Sequence, residues 1–206
     1  MFPTLALVAL LVGKIHCQLE APVPGYGVFI PSWTVQLSPG SEPVTINGTV
    51  EDVVSEIKKV NPHWIALEGA TDSSEPSSSA TRRKKRADFS GGDVECLDSS
   101  HGYGHAIKRR IQQGIRYLHG VHGRPHHEAG PEECGRVSCS YNSAIWWCNN
   151  NRDRLQLSSF QDIADGAQRV LNICPAEYRV THGDSVAGAA YHPRNNWLVI
   201  VRKNEC

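Results

Sequence analysis

The chain has 206 residues, 40% of them hydrophobic and 20% charged, with 21 basic residues balanced by 21 acidic ones. Zero net charge argues against the basic face that a nucleic-acid binder presents. After the first 17 residues no stretch is apolar enough to read as a membrane span.

Met1 to Cys17 holds a short apolar core, Leu5 to Val12, followed by Gly13, Lys14 and Cys17. The run falls short of the about 20 residues of a bilayer span and matches the h-region of a secretory signal. The competing reading is a buried N-terminal helix or strand. Residues 1–17 are read as a signal peptide, with cleavage after Cys17 as first choice and after Ala21 as second. The expected product is secreted and extracellular, with no stable membrane insertion.

Residues 18–86 read as a cysteine-free pro-segment. Trp33-Thr34-Val35-Gln36-Leu37 alternates as a half-buried strand does. Ser38 to Ser41 is a turn, and Val44-Thr45-Ile46 a second short strand. Thr49 and Asp52 make a capping box. Val50, Val53, Val54 and Ile57 then form one apolar helix stripe, which Asn61-Pro62 ends. A unit this small is expected to lean on the rest of the chain. Asn47-Gly48-Thr49 is a glycosylation sequon, so Asn47 is a candidate glycan site and the chain a glycoprotein precursor. Ser73 to Ala80 has almost no apolar content and reads as a solvated linker.

That linker leads into Arg82-Arg83-Lys84-Lys85-Arg86. A basic run after an open linker suits the extended-chain cleft of a kexin-like processing protease, here the first expected partner. Such runs also serve as nuclear localisation signals, a reading that a leader in front and a cysteine-rich domain behind argue against. Cleavage after Arg86 would give a mature domain, residues 87–206. Eight basic and eight acidic residues precede Ala87, leaving thirteen of each after it.

In residues 87–206, Ile107, Ile111, Ile115 and Leu118 mark one face of a helix over roughly 105–119. A loop rich in Gly, His and Pro follows. Arg136 to Cys139 and Ala144 to Cys148 read as two strands around Ser140 to Ser143. Ser159 with Asp162 caps a second helix whose buried stripe is Ile163, Ala167, Val170, Leu171 and Cys174. Arg179-Val180 is a short strand, and Trp197 to Val201 the strongest strand of the chain. The order α–β–β–α–β–β predicts an α+β fold, a small disulfide-bonded antiparallel sheet with two helices on one face.

Loss of the leader removes Cys17 and leaves Cys96, Cys134, Cys139, Cys148, Cys174 and Cys206. An even number on an oxidising route points to three bridges, with 15 possible pairings. Zinc would need tighter spacing than Cys134-x4-Cys139. The expected pairs are Cys96–Cys174, Cys139–Cys148 across the hairpin, and Cys134–Cys206.

Candidate chemistry is sparse. Six of the eight histidines after Arg86 fall in 101–105 and 119–127. Several loop histidines can converge on an ion, but their spacing matches no helix-borne ligand pair, so no metal and no cofactor is expected. No Gly-x-Ser-x-Gly elbow is present. Glu132-Glu133 sits beside a cysteine, and Asp162/Asp165 is helix-start chemistry. No catalytic residue is assigned and no enzyme is expected. The binding candidates are His119, His122, Arg124, His126 and His127, in a loop expected to carry little of the core, with whichever of Trp146 and Trp147 faces solvent. Arg116 and Arg136 are further sources of charge contacts.

The stretch from Cys96 through Cys134-Gly135-Arg136-Val137-Ser138-Cys139 and Asn142-Ser143-Ala144-Ile145 to Cys174 and Val199-Ile200-Val201-Arg202-Lys203-Asn204-Glu205-Cys206 resembles small cysteine-rich proteins secreted by fungi. These share the smut-fungus viral killer toxin fold and are related to necrosis-inducing plant-pathogen effectors. The resemblance covers most of 96–206 and none of 18–86, and the killer toxin has more than six cysteines. It implies a class: a secreted, disulfide-bonded, non-enzymatic effector or toxin-like virulence protein. Such a protein binds a cell-surface or apoplastic protein of a host or competitor. A secreted protease inhibitor and a small secreted hydrolase are the alternatives.

Overall fold

The structure, a computed structural model, describes residues 19–38, 40–64, 87–97, 103–127, 130–174, 179–180 and 183–206. Residues 1–17, read as a signal peptide, the Ser73 to Ala80 linker and the basic run Arg82 to Arg86 lie outside the described residues. The architecture is mixed α+β, with three helices, several small sheets and three disulfides among those residues.

The N-terminal segment supplies β1 (Gly27–Phe29), β2 (Ser32–Val35), β3 (Val44–Asn47) and α1 (Val50–Val60). Strands β2 and β3 form an antiparallel hairpin. The Asp52 carboxylate accepts the Thr49 N–H at 2.7 Å, so the predicted box opens α1. The four residues of the predicted stripe are the buried ones.

The rest of the chain forms β4 (Val94–Cys96), β5 (Ala106–Ile107), α2 (Lys108–Gly120), β6 (His126–His127), β7 (Glu133–Ser140), β8 (Ser143–Asn149), β9 (Leu155–Gln156), α3 (Gln161–Ile173), β10 (Arg179–Val180), β11 (Gly183–Val186), β12 (Gly188–Tyr191) and β13 (Trp197–Lys203). The main sheet has six strands in the order β1-β7-β8-β13-β12-β4. Strand β13, read as the strongest from its run of apolar residues, lies at the centre and pairs antiparallel with β8 and β12.

Strand β1 pairs parallel to β7, with Val28 opposite Cys134. The sheet is therefore mixed rather than purely antiparallel, because the N-terminal segment adds its own edge. The two predicted helices, α2 and α3, share one face of the sheet with α1. Ile111, Ile115, Ile163, Val170, Val53 and Ile57 all belong to one core with Ile145, Trp147, Val199 and Val201 of the sheet. The alternate residues Ala144, Trp146, Cys148, Leu198 and Ile200 face the other way, as period-two strands require.

Strands β7 and β8 turn through Tyr141 and Asn142, both at positive φ (49° and 56°). Two such residues match the right-handed twist of the flanking strands and make a tight hairpin. The turn corrects the expected bridges. It sets Ser140 opposite Ser143 and Cys139 opposite Ala144. Cys148 is then four residues further along, about 13–14 Å at the rise of a strand, beyond the reach of a disulfide. An irregularity at Val137 advances the register by one residue, placing Cys134 opposite Cys148 and on the same face as Cys139.

The bridges are Cys134–Cys148, with Cα atoms 4.0 Å apart, and Cys139–Cys206, at 5.6 Å. Cys96–Cys174 is as expected, and it ties edge strand β4 to the end of α3. None of the three involves a residue before Cys96.

Candidate functional site: the surface beneath the N-terminal segment

The two tryptophans of β8 point to opposite faces, yet neither meets solvent: Trp146 is 0% exposed and Trp147 1%. This removes the reading in which one of them is a solvent-facing anchor and agrees with the other reading of the pair, in which both pack into the core. Trp147 lies under the helices, with the His127 ring edge-on at 5.4 Å. Trp146 lies on the opposite face, in a cluster with Ala144, Leu198 and Ile200 against which Leu19, Val23, Tyr26 and Val28 of the N-terminal segment pack together with Leu97 and Tyr191. The Arg136 guanidinium lies over its ring at 6.0 Å. The indole N–H groups of Trp146, Trp147 and Trp197 are all buried with no acceptor among the described residues, so this feature is common to both faces of the sheet. A buried donor left unpaired is uncommon, since it forfeits its bond to water.

The segment grips the rest of the chain at four further places. Trp33, fully buried, stacks on Phe160 with ring centroids 4.2 Å apart and donates its N–H to Gly48 O. Phe29 lies against Gly135, where a Cβ would come within 2.4 Å of its ring, and its centroid is 3.9 Å from that of His127. Arg202 donates to Pro22 O at 2.6 Å.

At the fourth place, the Glu51 carboxylate of α1 accepts Ser138 Oγ–H at 2.7 Å and Cys139 N–H at 3.0 Å. Ser138 keeps its position because Gly114 of α2 lacks a side chain, whose Cβ would lie 2.3 Å from the hydroxyl. Burial pushes the Glu51 carboxyl above its usual range, against the hydrogen bonds from Ser138 and Cys139, which act to lower it.

A cavity of about 570 Å³ runs along the same boundary, lined by Val35, Leu37, Ile57 and Trp64 on one side and Val121 and His122 on the other. His122, Arg124 and His126 are exposed, and His119 is half-buried. His127 is not a loop contact residue: it is 1% exposed, and its Nε2 lies 3.1 Å from Glu133 O. Pairing of β6 with β9 draws it into the core. Replacing His127 would therefore disturb packing, contrary to the expectation that this loop carries little of the core.

Among the described residues no three His, Cys, Asp or Glu side chains form a group able to hold a metal ion, and no helix is long and apolar enough to cross a membrane. Arg136 donates to Asn204 Oδ1 and to Glu205 O, which uses it at the bridged C-terminus. Arg116 is half-buried. Asn47, at the end of β3, is exposed.

Asp162 does more than cap α3. Its Oδ2 accepts Ser158 N–H, Ser158 Oγ–H and Ser159 N–H at 2.9, 2.7 and 3.2 Å, while Oδ1 accepts Ala87 N–H at 2.9 Å. Nearby, His192 is held below its ordinary value by burial first and by Arg194 second. On β12, burial and then the Glu95 carboxylate push the Tyr191 hydroxyl up to about 12.

Sequence reasoning missed the covering of Trp146, the Glu51–Ser138 link and the Ala87–Asp162 bond. Only the first left a local trace, the apolar residues Val23, Tyr26 and Val28 ahead of the predicted strand. Comparison of the chain with known protein families, with curated proteins and with solved structures finds no match.

Proposed function

We propose that this chain is the precursor of a secreted effector or toxin-like protein that a kexin-like protease cleaves after Arg86. In this reading the 87–206 domain then acts on a host or competitor organism by binding one of its surface or apoplastic proteins. The segment before the cut acts as a pro-segment, occupying in the precursor the surface used for binding.

The apolar face around Trp146, covered in part by residues 19–28, carries this reading. It brings the large apolar side chains Trp146, Leu198 and Ile200 together on one face, and Trp is a favoured anchor of protein interfaces. Because no bridge involves a residue before Cys96, cleavage would leave the segment held by non-covalent contacts alone. The exposed His122 lines the cavity at the segment's boundary on the helix side of the sheet, and would offer a second contact there.

The test compares cleaved protein with a precursor whose residues 82–86 are replaced by serine. Cleaved protein is expected to cause growth inhibition or cell death in a susceptible organism, lost on reduction, while the uncleavable precursor is inactive. Equal activity of the two forms would sink the masking role. Tight inhibition of papain-like or serine proteases would establish the inhibitor alternative, and turnover of cell-wall polymers the hydrolase.

A further inference from the structure

We propose that Asp162 is the receptor for the amino terminus that cleavage after Arg86 creates, so that processing ends with an ammonium–carboxylate pair seated inside the domain. The proposal rests on the cleavage step above and adds what the new end does.

Three observations carry it. The Ala87 nitrogen already lies 2.9 Å from Asp162 Oδ1. Asp162 is only 3% exposed, and its other oxygen is held by three donors from Ser158 and Ser159, which leaves Oδ1 to the Ala87 nitrogen. Ala87 is held from its C-terminal side: Phe89, 5% exposed, sits edge-on to His192 and Trp197 at 5.4 and 5.2 Å.

Hydrolysis adds one water across the Arg86–Ala87 amide. The C–N bond breaks and a C–O bond forms. Arg86 leaves as a carboxylate, and the proton it releases is taken up by the freed amine, which becomes an ammonium. A neutral N–H donor to Asp162 is thereby replaced by a cationic one at the same position, and charge-assisted bonds are roughly twice as strong as neutral ones. A cavity of about 240 Å³ adjoins Ala87 and gives the larger ammonium room. The ionisable groups facing it are Asp162, Asp88, His192 and Arg194. The first two favour the cation and Arg194 opposes it, but Asp162 is the one in hydrogen-bond contact. Cleavage earlier in the basic run would leave the charge one or more residues away, at about 3.3–3.6 Å each, so the site accepts a single end.

Full-length precursor is cleaved with a kexin-like protease, its new end is sequenced, and the α-amine's reaction with an amine-directed reagent is followed against pH at the N-terminal peptide. An ordinary α-amine titrates at about 7.7–8.0. The Ala87 amine is expected about one to three pH units higher, as for a group beside an opposite charge. At pH 7 it should label at least about tenfold more slowly than the end of a protein with one glycine inserted between Arg86 and Ala87. Asp162→Asn should bring the midpoint back toward the ordinary value; if that variant does not fold, the glycine insertion, which leaves Asp162 in place, decides. A product that begins at Ala87 and titrates ordinarily, unaltered by either change, overturns this proposal alone. A product that begins elsewhere overturns it together with the cleavage reading.

Discussion

Residues 19–64 and residues 87–206, which share one sheet, are built on opposite plans. Residues 87–206 hold all three bridges, which tie an edge strand to a helix, two neighbouring strands to each other and the chain end to a strand. Residues 19–64 hold no cysteine, and their largest buried side chain, Trp33, is covered by Phe160 of the other region. The domain reinforces itself covalently, whereas the segment is stabilised by burial against a neighbour. A segment fastened by packing and hydrogen bonds alone can part from the domain once the chain between them is cut, and one fastened by a disulfide cannot.

The largest effect on this contrast should come from Trp33→Ala. Removing a fully buried tryptophan typically costs about 3–5 kcal/mol, and the loss should fall on the segment. Cleaved Trp33→Ala protein is expected to elute without its N-terminal peptide under conditions where the wild type retains more of it. Equal retention would show that the stack is not a fastening.

Converting both Cys134 and Cys148 to serine comes next. Loss of one bridge costs about 2–4 kcal/mol, and here it should lower the urea midpoint of the domain whether or not the segment is bound. A midpoint change seen only with the segment attached would contradict the division between the two regions.

Gly135→Ala should cost about 1–3 kcal/mol, the usual range for overpacking, because the new methyl collides with Phe29. Since β1 is a strand of the segment, weaker segment binding with an intact domain is the expected result, read by hydrogen exchange across residues 27–29.

The smallest effect is one of pH. Glu51 has a raised carboxyl value, so its protonated form is favoured in the folded protein. Its contribution to stability is complete below the ordinary 4.5 and fades as pH rises through the raised value. The segment should hold more firmly in acid than at neutral pH, and Glu51→Gln should flatten that part of the profile. A Tm-against-pH curve that is unchanged in Glu51→Gln would remove the carboxylate from this role.

Local chemistry decided much of this molecule and is legible residue by residue. The stripe from Val50 to Ile57, the box at Thr49 and Asp52, the cap at Ser159 and Asp162, and the central strand Trp197 to Val201 each depend on neighbours within a turn or a strand. Alternation also placed Trp146 and Trp147 on opposite faces. Tertiary structure alone decided what met those faces. Trp146 is buried in part because a strand from far earlier in the chain joined the sheet beside β7 and brought its leading chain across, and no local pattern specifies a parallel edge pairing. The bridges divide in the same way. Cys96–Cys174 follows from element order, but Cys134–Cys148 depends on one extra residue at Val137, which shifts every partner beyond it and which alternation by itself does not reveal. The Ala87–Asp162 bond joins residues 75 apart in the chain; Asp162 is recognisable as a helix-start residue from its neighbours, but which donor fills its second oxygen is settled only when the chain closes on itself.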